Sequence, residues 1–171
     1  QVDVKFVPSI CHVGEAAGQQ FYQYTAIDEY SRYRYVEAFE EHSTYSSTVF
    51  LEHMLKAFPF EVKCVQTDNG SEFTKRLLPS GSSSPTLFER TLKQRGIQHK
   101  LIRPYTPRHN GKVERSHRKD NEYFYASHRF YSFEDFANQL QVHNRNYNRF
   151  PMRPLGWKSP KDFLFSFLHL V

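Results

Sequence analysis

Apolar and polar residues alternate in "VDVKFVPS" at the start of the chain, the period expected of a strand with one face buried. "QQFYQYTAID" and "YRYVEAFE" repeat the pattern, and the turn residues between them (Gly14 and Gly18, then Asp28 to Ser31) predict an antiparallel meander. The period then changes. In "STYSSTVFLEHMLKAFP" the residues Val49, Phe50, Leu55 and Phe58 recur at helical spacing, Ser43 or Thr44 can cap the start, and Pro59 stops the run. "FEVKCVQT" predicts a fourth strand, "LFERTLKQRG" a short helix ended by Gly96, and "IQHKLIR" a fifth strand. A turn-rich loop, "PYTPRHNG", leads into a polar helix expected from 112 to about 128. A second helix follows from about Phe133 to Tyr147, and an apolar closing segment enters at Ser-Pro. The Ser-rich piece at 79–86 reads as a surface loop within one domain, since regular pattern resumes on both sides.

This order predicts an α/β fold: a central mixed five-stranded sheet, its first three strands antiparallel, flanked by helices. A length of 171 residues favours a single domain spanning 1–171. The chain opens on Gln directly into a strand, which reads as a core excised from a longer protein.

Composition narrows the function classes. No run approaches the roughly 18 apolar residues of a membrane span. Two cysteines, Cys11 and Cys64, are too few for a disulfide framework or a cysteine-built zinc site, and the nine histidines show no zinc spacing. A reduced, cytoplasmic setting is the expectation. A net charge of +5 and pI near 9.2 agree with a polyanionic partner without requiring one.

Three carboxylates stand at telling places. Asp3 lies in the first strand, Asp68 ends the fourth, and Glu114 falls in the first turn of the helix near Lys112. Taken singly each has an ordinary explanation: a solvated acid near a chain end, a turn residue before Asn-Gly, a charge complementing a helix dipole. Parallel first and fourth strands would bring the two aspartates together, with the helix presenting Glu114 across from them. Clustered carboxylates repel, and an all-oxygen acidic set suits Mg²⁺ or Mn²⁺.

The flanking motifs carry a resemblance. "VQTDNGSEF" around Asp68 and "YTPRHNGKVERSHR" from Tyr105 to Arg118 resemble the second and third acidic motifs of the retroviral-integrase superfamily, with Pro107, Asn110, Gly111 and Glu114 in register. "NRNYNRFPMRPLGWKSPKDFL" resembles the closing segment of insertion-sequence transposases of that superfamily. The resemblance implies a ribonuclease-H-like fold and a DDE transposase or integrase core, with Asp3, Asp68 and Glu114 as catalytic and metal-binding acids. It also implies two Mg²⁺ or Mn²⁺ ions when DNA is bound, DNA ends and target DNA as partners, and a homo-oligomer assembled on DNA. The Asp68-to-Glu114 interval is longer than in retroviral integrases, an excess that a surface loop at 79–86 absorbs at small entropic cost.

Asp28 in "AIDEYSRY" competes with Asp3 as the first acid, but "DEYSR" has the form of a self-capping turn, which favours Asp3. Arg108, Lys112, Arg115, Arg118, Lys119 and Asn121 are the expected DNA contacts, with Arg103 and His109 beside them. Glu114 and Arg118, four apart, could instead form a plain helix ion pair. Tyr105, Tyr123 and Tyr125 are candidates for stacking on unpaired bases, although core burial would remove at least one. His117, one turn after Glu114, reads equally as a proton-transfer aid, a DNA contact or a surface residue. Trp157 and the apolar tail (Phe163, Leu164, Phe165, Phe167 and Leu168) either close the core or form a subunit interface. Two other functions fit the same residues: a ribonuclease-H-like nuclease that only hydrolyses, or a non-catalytic DNA-binding module.

Overall fold

Strand alternation sorts the first sheet into two faces of different chemistry. In the computed structural model, which describes residues 1–77, 84–103 and 110–168, β1 (Val2–Phe6), β2 (Tyr22–Ile27) and β3 (Arg34–Phe39) form an antiparallel meander in the order β1-β2-β3. Val2 pairs with Ala26, Asp3 with Thr25, Tyr24 with Glu37 and Ala26 with Tyr35. One face carries Val2, Tyr24 and Ala26 into a core with Phe50, Leu51 and Met54 of α1 (Thr44–Ala57), Val65 of β4 (Cys64–Thr67), and Phe88 and Leu92 of α2 (Leu87–Gln94). The opposite face carries Val7, Phe21 and Val36 against Phe124, Tyr125, Phe130, Phe136 and Leu140.

The helices start where the sequence offers caps. Ser43 accepts from the Ser46 amide at the head of α1. At α2 the Thr86 hydroxyl accepts from the Glu89 amide while Glu89 accepts from the Thr86 amide, a reciprocal capping box. Ser132 caps α4 (Phe133–Arg149). The helix carrying Glu114, α3 (Gly111–Asp120), is capped from a distance instead. The Gln1 side chain accepts from the amides of Lys112 and Val113, both at 3.2 Å, so the start of the first strand and the start of α3 are tied together. The closing segment forms α5 (Pro160–Leu168), with Leu164 turned inward.

Two expectations are corrected. The five strands do not form one continuous ladder: β4 pairs in parallel only with β5 (Gln98–Leu101), and this two-stranded sheet lies beside β1. Val2 and Val65 share one core, so side-chain packing joins the two sheets where no backbone ladder is described between them. The polar helix expected to reach about 128 ends at Asp120 and continues as one π-helical turn, Asn121–Tyr125, marked by the Ala126 amide donating to the Asn121 carbonyl. The cause is on the buried side. Ser116 and Asp120 are four apart and share a face; the wider turn places Tyr125 on that face as well, where its hydroxyl donates to Gln23.

That face holds a buried charge. Arg34 is fully buried, and its Nη1 donates to both oxygens of Asp120, at 2.8 and 3.0 Å, and to Ser116 at 2.6 Å. Asp120 also accepts from Gln23 at 2.8 Å and meets His143 at 2.7 Å. From α4, Asn144 and Asn148 bond the backbone and Nε of Arg34, and the Tyr147 ring lies across the guanidinium at 3.9 Å. Burial alone would raise the Asp120 carboxyl, but Arg34, His143 and Gln23 outweigh it and hold the group far below the ordinary carboxylate range.

An acid depressed in this way stabilises the fold above its unfolded pKa, near 4, and the contribution is lost as pH falls toward the folded value. Replacing Asp120 with Ala leaves Arg34 buried and unpaired, so a loss of about 3–5 kcal/mol is expected in denaturant titration at pH 7. Asp120→Asn should flatten the acid limb of the stability–pH curve.

Candidate active site

Asp3 sits on the α3–α4 face of β1, directly across from Thr25, with its side chain 20% exposed. Asp68 follows the last residue of β4, which lies beside β1, and the negative charge of Asp3 is felt at the Asp68 carboxyl. The turn beyond Asp68 is firmly built. Asp68 Oδ1 accepts from the Gly70 amide at 3.0 Å, the Thr67 hydroxyl donates to the Asp68 carbonyl, and the Asn69 amide donates to the Ile102 carbonyl beyond β5. Asp68 is therefore a turn residue and also a neighbour of Asp3.

Burial is the largest influence on the Asp68 carboxyl and pushes it up. The Gly70 amide opposes that, the negative charges of Asp3 and Glu72 add to it, and His42 opposes it. Glu72 is the acid the sequence reading missed. It is buried, its Oε1 lies 3.0 Å from His42 Nε2, and its carboxylate tucks under the Asp68 turn. A Cβ on Gly70 would come within 2.4 Å of a Glu72 oxygen, so a larger residue there would displace the Glu72 carboxylate from under the turn. The only signal for Glu72 was its position in "DNGSEF", which gives no hint that it folds inward.

Glu114 is exposed on the first turn of α3. Among the described residues no three His, Cys, Asp or Glu side chains converge closely enough to hold a metal ion. The structure thus joins Asp3 to Asp68 and leaves Glu114 at the rim. One turn further along α3, His117 is buried. Its Nδ1 lies 3.3 Å from Asp3 Oδ2, and its Nε2 lies 2.9 Å from the Thr25 hydroxyl. Lys5, two residues after Asp3 on the same strand face, is half-buried over the Tyr125 ring; burial lowers its amine, and Asp120 and Asp3 oppose that. Asp28 is used locally instead, since its Oδ2 accepts from the Ser31 amide at 2.7 Å and the Ser31 hydroxyl at 2.6 Å.

The expected DNA contacts separate by surroundings. Lys112 points at Glu29, donating to its carbonyl at 2.7 Å with the carboxylate 3.6 Å away. Lys119 lies 3.9 Å from Glu122 and over the exposed Tyr123 ring. Arg115 and Arg118 are exposed and form no ion pair among the described residues, so the Glu114–Arg118 helix pair does not form there. Asn121 is exposed at the start of the π turn. Tyr125 is buried and removed from stacking, whereas Tyr123 is exposed. Tyr105, Pro107, Arg108, His109 and most of the Ser-rich loop lie outside the described residues. In the tail, Leu164 joins the interior while Phe163 and Phe167 pack on Tyr30 and Trp157 is exposed. No helix among the described residues is long and apolar enough to cross a membrane.

Solved structures define the architecture as that of integrase catalytic cores, a ribonuclease-H-like α/β fold. The BIV integrase catalytic core superposes with a TM-score of 0.62 over 88% of this chain and 89% of that one, at 20% identity. The HTLV-2 integrase catalytic core in complex with magnesium, a trimeric form, gives 0.64 over 95% and 92%, at 16% identity. The simian T-cell lymphotropic virus intasome, in complex with a PP2A regulatory subunit, gives 0.67 over 95% of this chain and 52% of that one, at 14% identity. The chain belongs to the integrase core domain family, whose profile matches residues 2–107; a second integrase core domain profile matches 95–160. It is 27% identical to "Putative integrase ORF3" of Spiroplasma virus SpV1-C74 across 97% of its length, and spans about half (47%) of that curated relative.

Because the Asp68 carboxyl is raised, its ionised form at neutral pH works against folding: its contribution is present at low pH and lost as pH rises through the folded value. Asp68→Asn should therefore raise the Tm of the metal-free protein at pH 7. Mg²⁺ should raise the wild-type Tm and leave that of the variant unchanged, as read by differential scanning calorimetry.

Proposed function

We propose that this chain is the catalytic core of a DNA transposase or integrase that cuts at the ends of a mobile element and transfers the freed 3′-hydroxyls to target DNA. The observation that carries the reading is the Asp3–Asp68 pair: two neighbouring carboxylates, one disfavoured as an anion by burial and by the other's charge, on a fold of integrase cores. A divalent cation beside the two carboxylates would offset both the burial and the mutual repulsion. The oxygen-only acids Asp3, Asp68 and Glu114 fit Mg²⁺ or Mn²⁺, with Glu114 completing the set from the rim of α3.

When bound, two such ions would activate the attacking hydroxyl and stabilise the leaving oxygen of an in-line phosphodiester displacement. The chain's own contribution is positional. The rigid turn after β4 fixes Asp68, the sheet fixes Asp3, and α3 presents Glu114 with Arg115 and Arg118 one turn along for backbone phosphates. Element ends, target DNA and a homo-oligomer holding two ends together are the partners this chemistry requires, with a DNA-associated cytoplasmic location. Arg108 and Lys112 complete the proposed DNA set, with Lys112 first released from Glu29, and Lys119 and Asn121 flank it.

Asp68→Asn and Glu114→Gln should each keep a folded protein and lose Mg²⁺-dependent strand joining on pre-cut element ends; retained joining by either purified variant would sink the acid set. The same assay separates transfer from simple hydrolysis, which yields nicked but unjoined product. Arg118→Ala should weaken DNA binding with little preference for sequence and reduce the slope of log K against log salt by about 1, measured by fluorescence anisotropy.

A further inference from the structure

His117 sits between the two most constrained parts of the molecule. On one side its Nδ1 faces Asp3 Oδ2 at 3.3 Å; on the other its Nε2 meets the Thr25 hydroxyl at 2.9 Å. The ring is held by what lies behind it. Gln23 has two amide protons, and its Nε2 gives one to Asp120 Oδ2 at 2.8 Å and the other to the Thr25 hydroxyl oxygen at 3.0 Å. The amide cannot be reversed, because its carbonyl would then face the Asp120 carboxylate, and in the present orientation that carbonyl accepts from the buried Tyr125 hydroxyl. The Thr25 oxygen accepts from Gln23 on one side and meets His117 Nε2 on the other, so one edge of the ring is held against the interior. With that edge held, Nδ1 is the ring atom left facing Asp3.

We propose that His117 is a positioning residue for Asp3, held from behind by the Gln23–Thr25 chain with its Nδ1 edge against one carboxylate oxygen of Asp3. The proposal rests on the reading of Asp3 as a metal-binding acid. In this arrangement the Arg34–Asp120 pair orients the Gln23 amide, and the Gln23 amide meets the Thr25 hydroxyl behind His117. Glu114 and His117 leave the same helix one turn apart, so α3 would supply both a metal ligand and the group that orients another. Ligand-orienting partners of this kind change metal affinity or activity by about 10–100-fold when removed.

The test exploits the shapes of two amides. Asparagine places its amide where Nδ1 sits; glutamine places its amide where Nε2 sits. Mn²⁺ binding by calorimetry and the Mg²⁺ concentration for half-maximal joining are measured for His117→Asn, His117→Gln and Asp3→Asn in the full chain. His117→Asn should retain near-wild-type Mn²⁺ affinity, and His117→Gln should lose about tenfold or more. Thr25→Val, which removes the support behind the ring, should weaken Mn²⁺ binding in the same direction as His117→Gln, and Thr25→Ser should keep it near wild type. A glutamine variant that outperforms asparagine, the result expected of mere packing against Thr25, overturns the proposal, as does a Thr25→Val protein with wild-type Mn²⁺ affinity. If Asp3→Asn binds Mn²⁺ as tightly as wild type, the acid reading itself fails, whatever the His117 variants do.

Discussion

The Arg34–Asp120 pair is the constraint around which the molecule is arranged. A fully buried guanidinium and carboxylate are tolerated only with many compensating partners, and here, although Arg34 Nη2 has no hydrogen-bond partner among the described residues, the partners of the other atoms come from five segments. Arg34 comes from β3, Gln23 from β2, Ser116 and Asp120 from α3, Tyr125 from the π turn, and His143, Asn144, Tyr147 and Asn148 from α4. Each partner has a direction as well as a distance, so the network fixes rotation and register where apolar packing would allow sliding. The widened helical turn after Asp120 lies within it: Asp120, which accepts from Gln23, and Tyr125, which donates to Gln23, reach the same side chain from five residues apart, a spacing the α-helix does not bring onto one face.

Asp120 and Asp68 show the same chemistry in opposite settings. Asp120 is fully buried, surrounded by donors and held ionised, whereas the partly buried Asp68 has one amide and the weaker pull of His42 set against two nearby anions. A sequence selected for stability alone would treat the two alike. The scaffold instead concentrates its polar partners on the buried pair and leaves the acids at the sheet rim poorly compensated, as expected where an external cation is to be the partner.

What the sequence made legible follows the reach of each signal. Strand alternation, the Ser43 cap, Pro59 and the "DEYSR" turn act over a few residues, and those elements appear where expected. That Asp3 and Asp68 feel each other's charge was readable from their positions on two strands, although the continuous sheet expected to join those strands is not present among the described residues. Glu72, Arg34 and Asp120 were not, because nothing within ten residues of any of them reveals its partner. The pattern along α4 is instructive. Phe136, Leu140, Asn144 and Asn148 recur every four residues on one buried face, and the stripe changes from apolar to amide where it crosses Arg34. The spacing is visible in one dimension; the reason for the amides requires the facing strand. Likewise, a single ladder of five strands was expected because packing of Val2 against Val65 and hydrogen bonding of their backbones look identical from sequence.

The placement of Glu114 completes this logic. One face of α3 carries Val113, Ser116, His117 and Asp120 into the interior, and the other carries Glu114, Arg115, Arg118 and Lys119 to the surface. The inner face is bonded to Arg34, Gln1 and Thr25, so the helix axis and rotation are set before any ligand arrives. The only freedom left to Glu114 is its own side-chain torsions, a small entropy to lose beside that of ordering a backbone segment. An acid on a fixed helix can remain in water while Asp3 and Asp68 have no cation, avoiding a third mutual repulsion. It can turn inward once the charge balance favours it. Rigidity in the helix and freedom in one side chain are therefore complementary, and the buried ion pair supplies the first so that the second is sufficient.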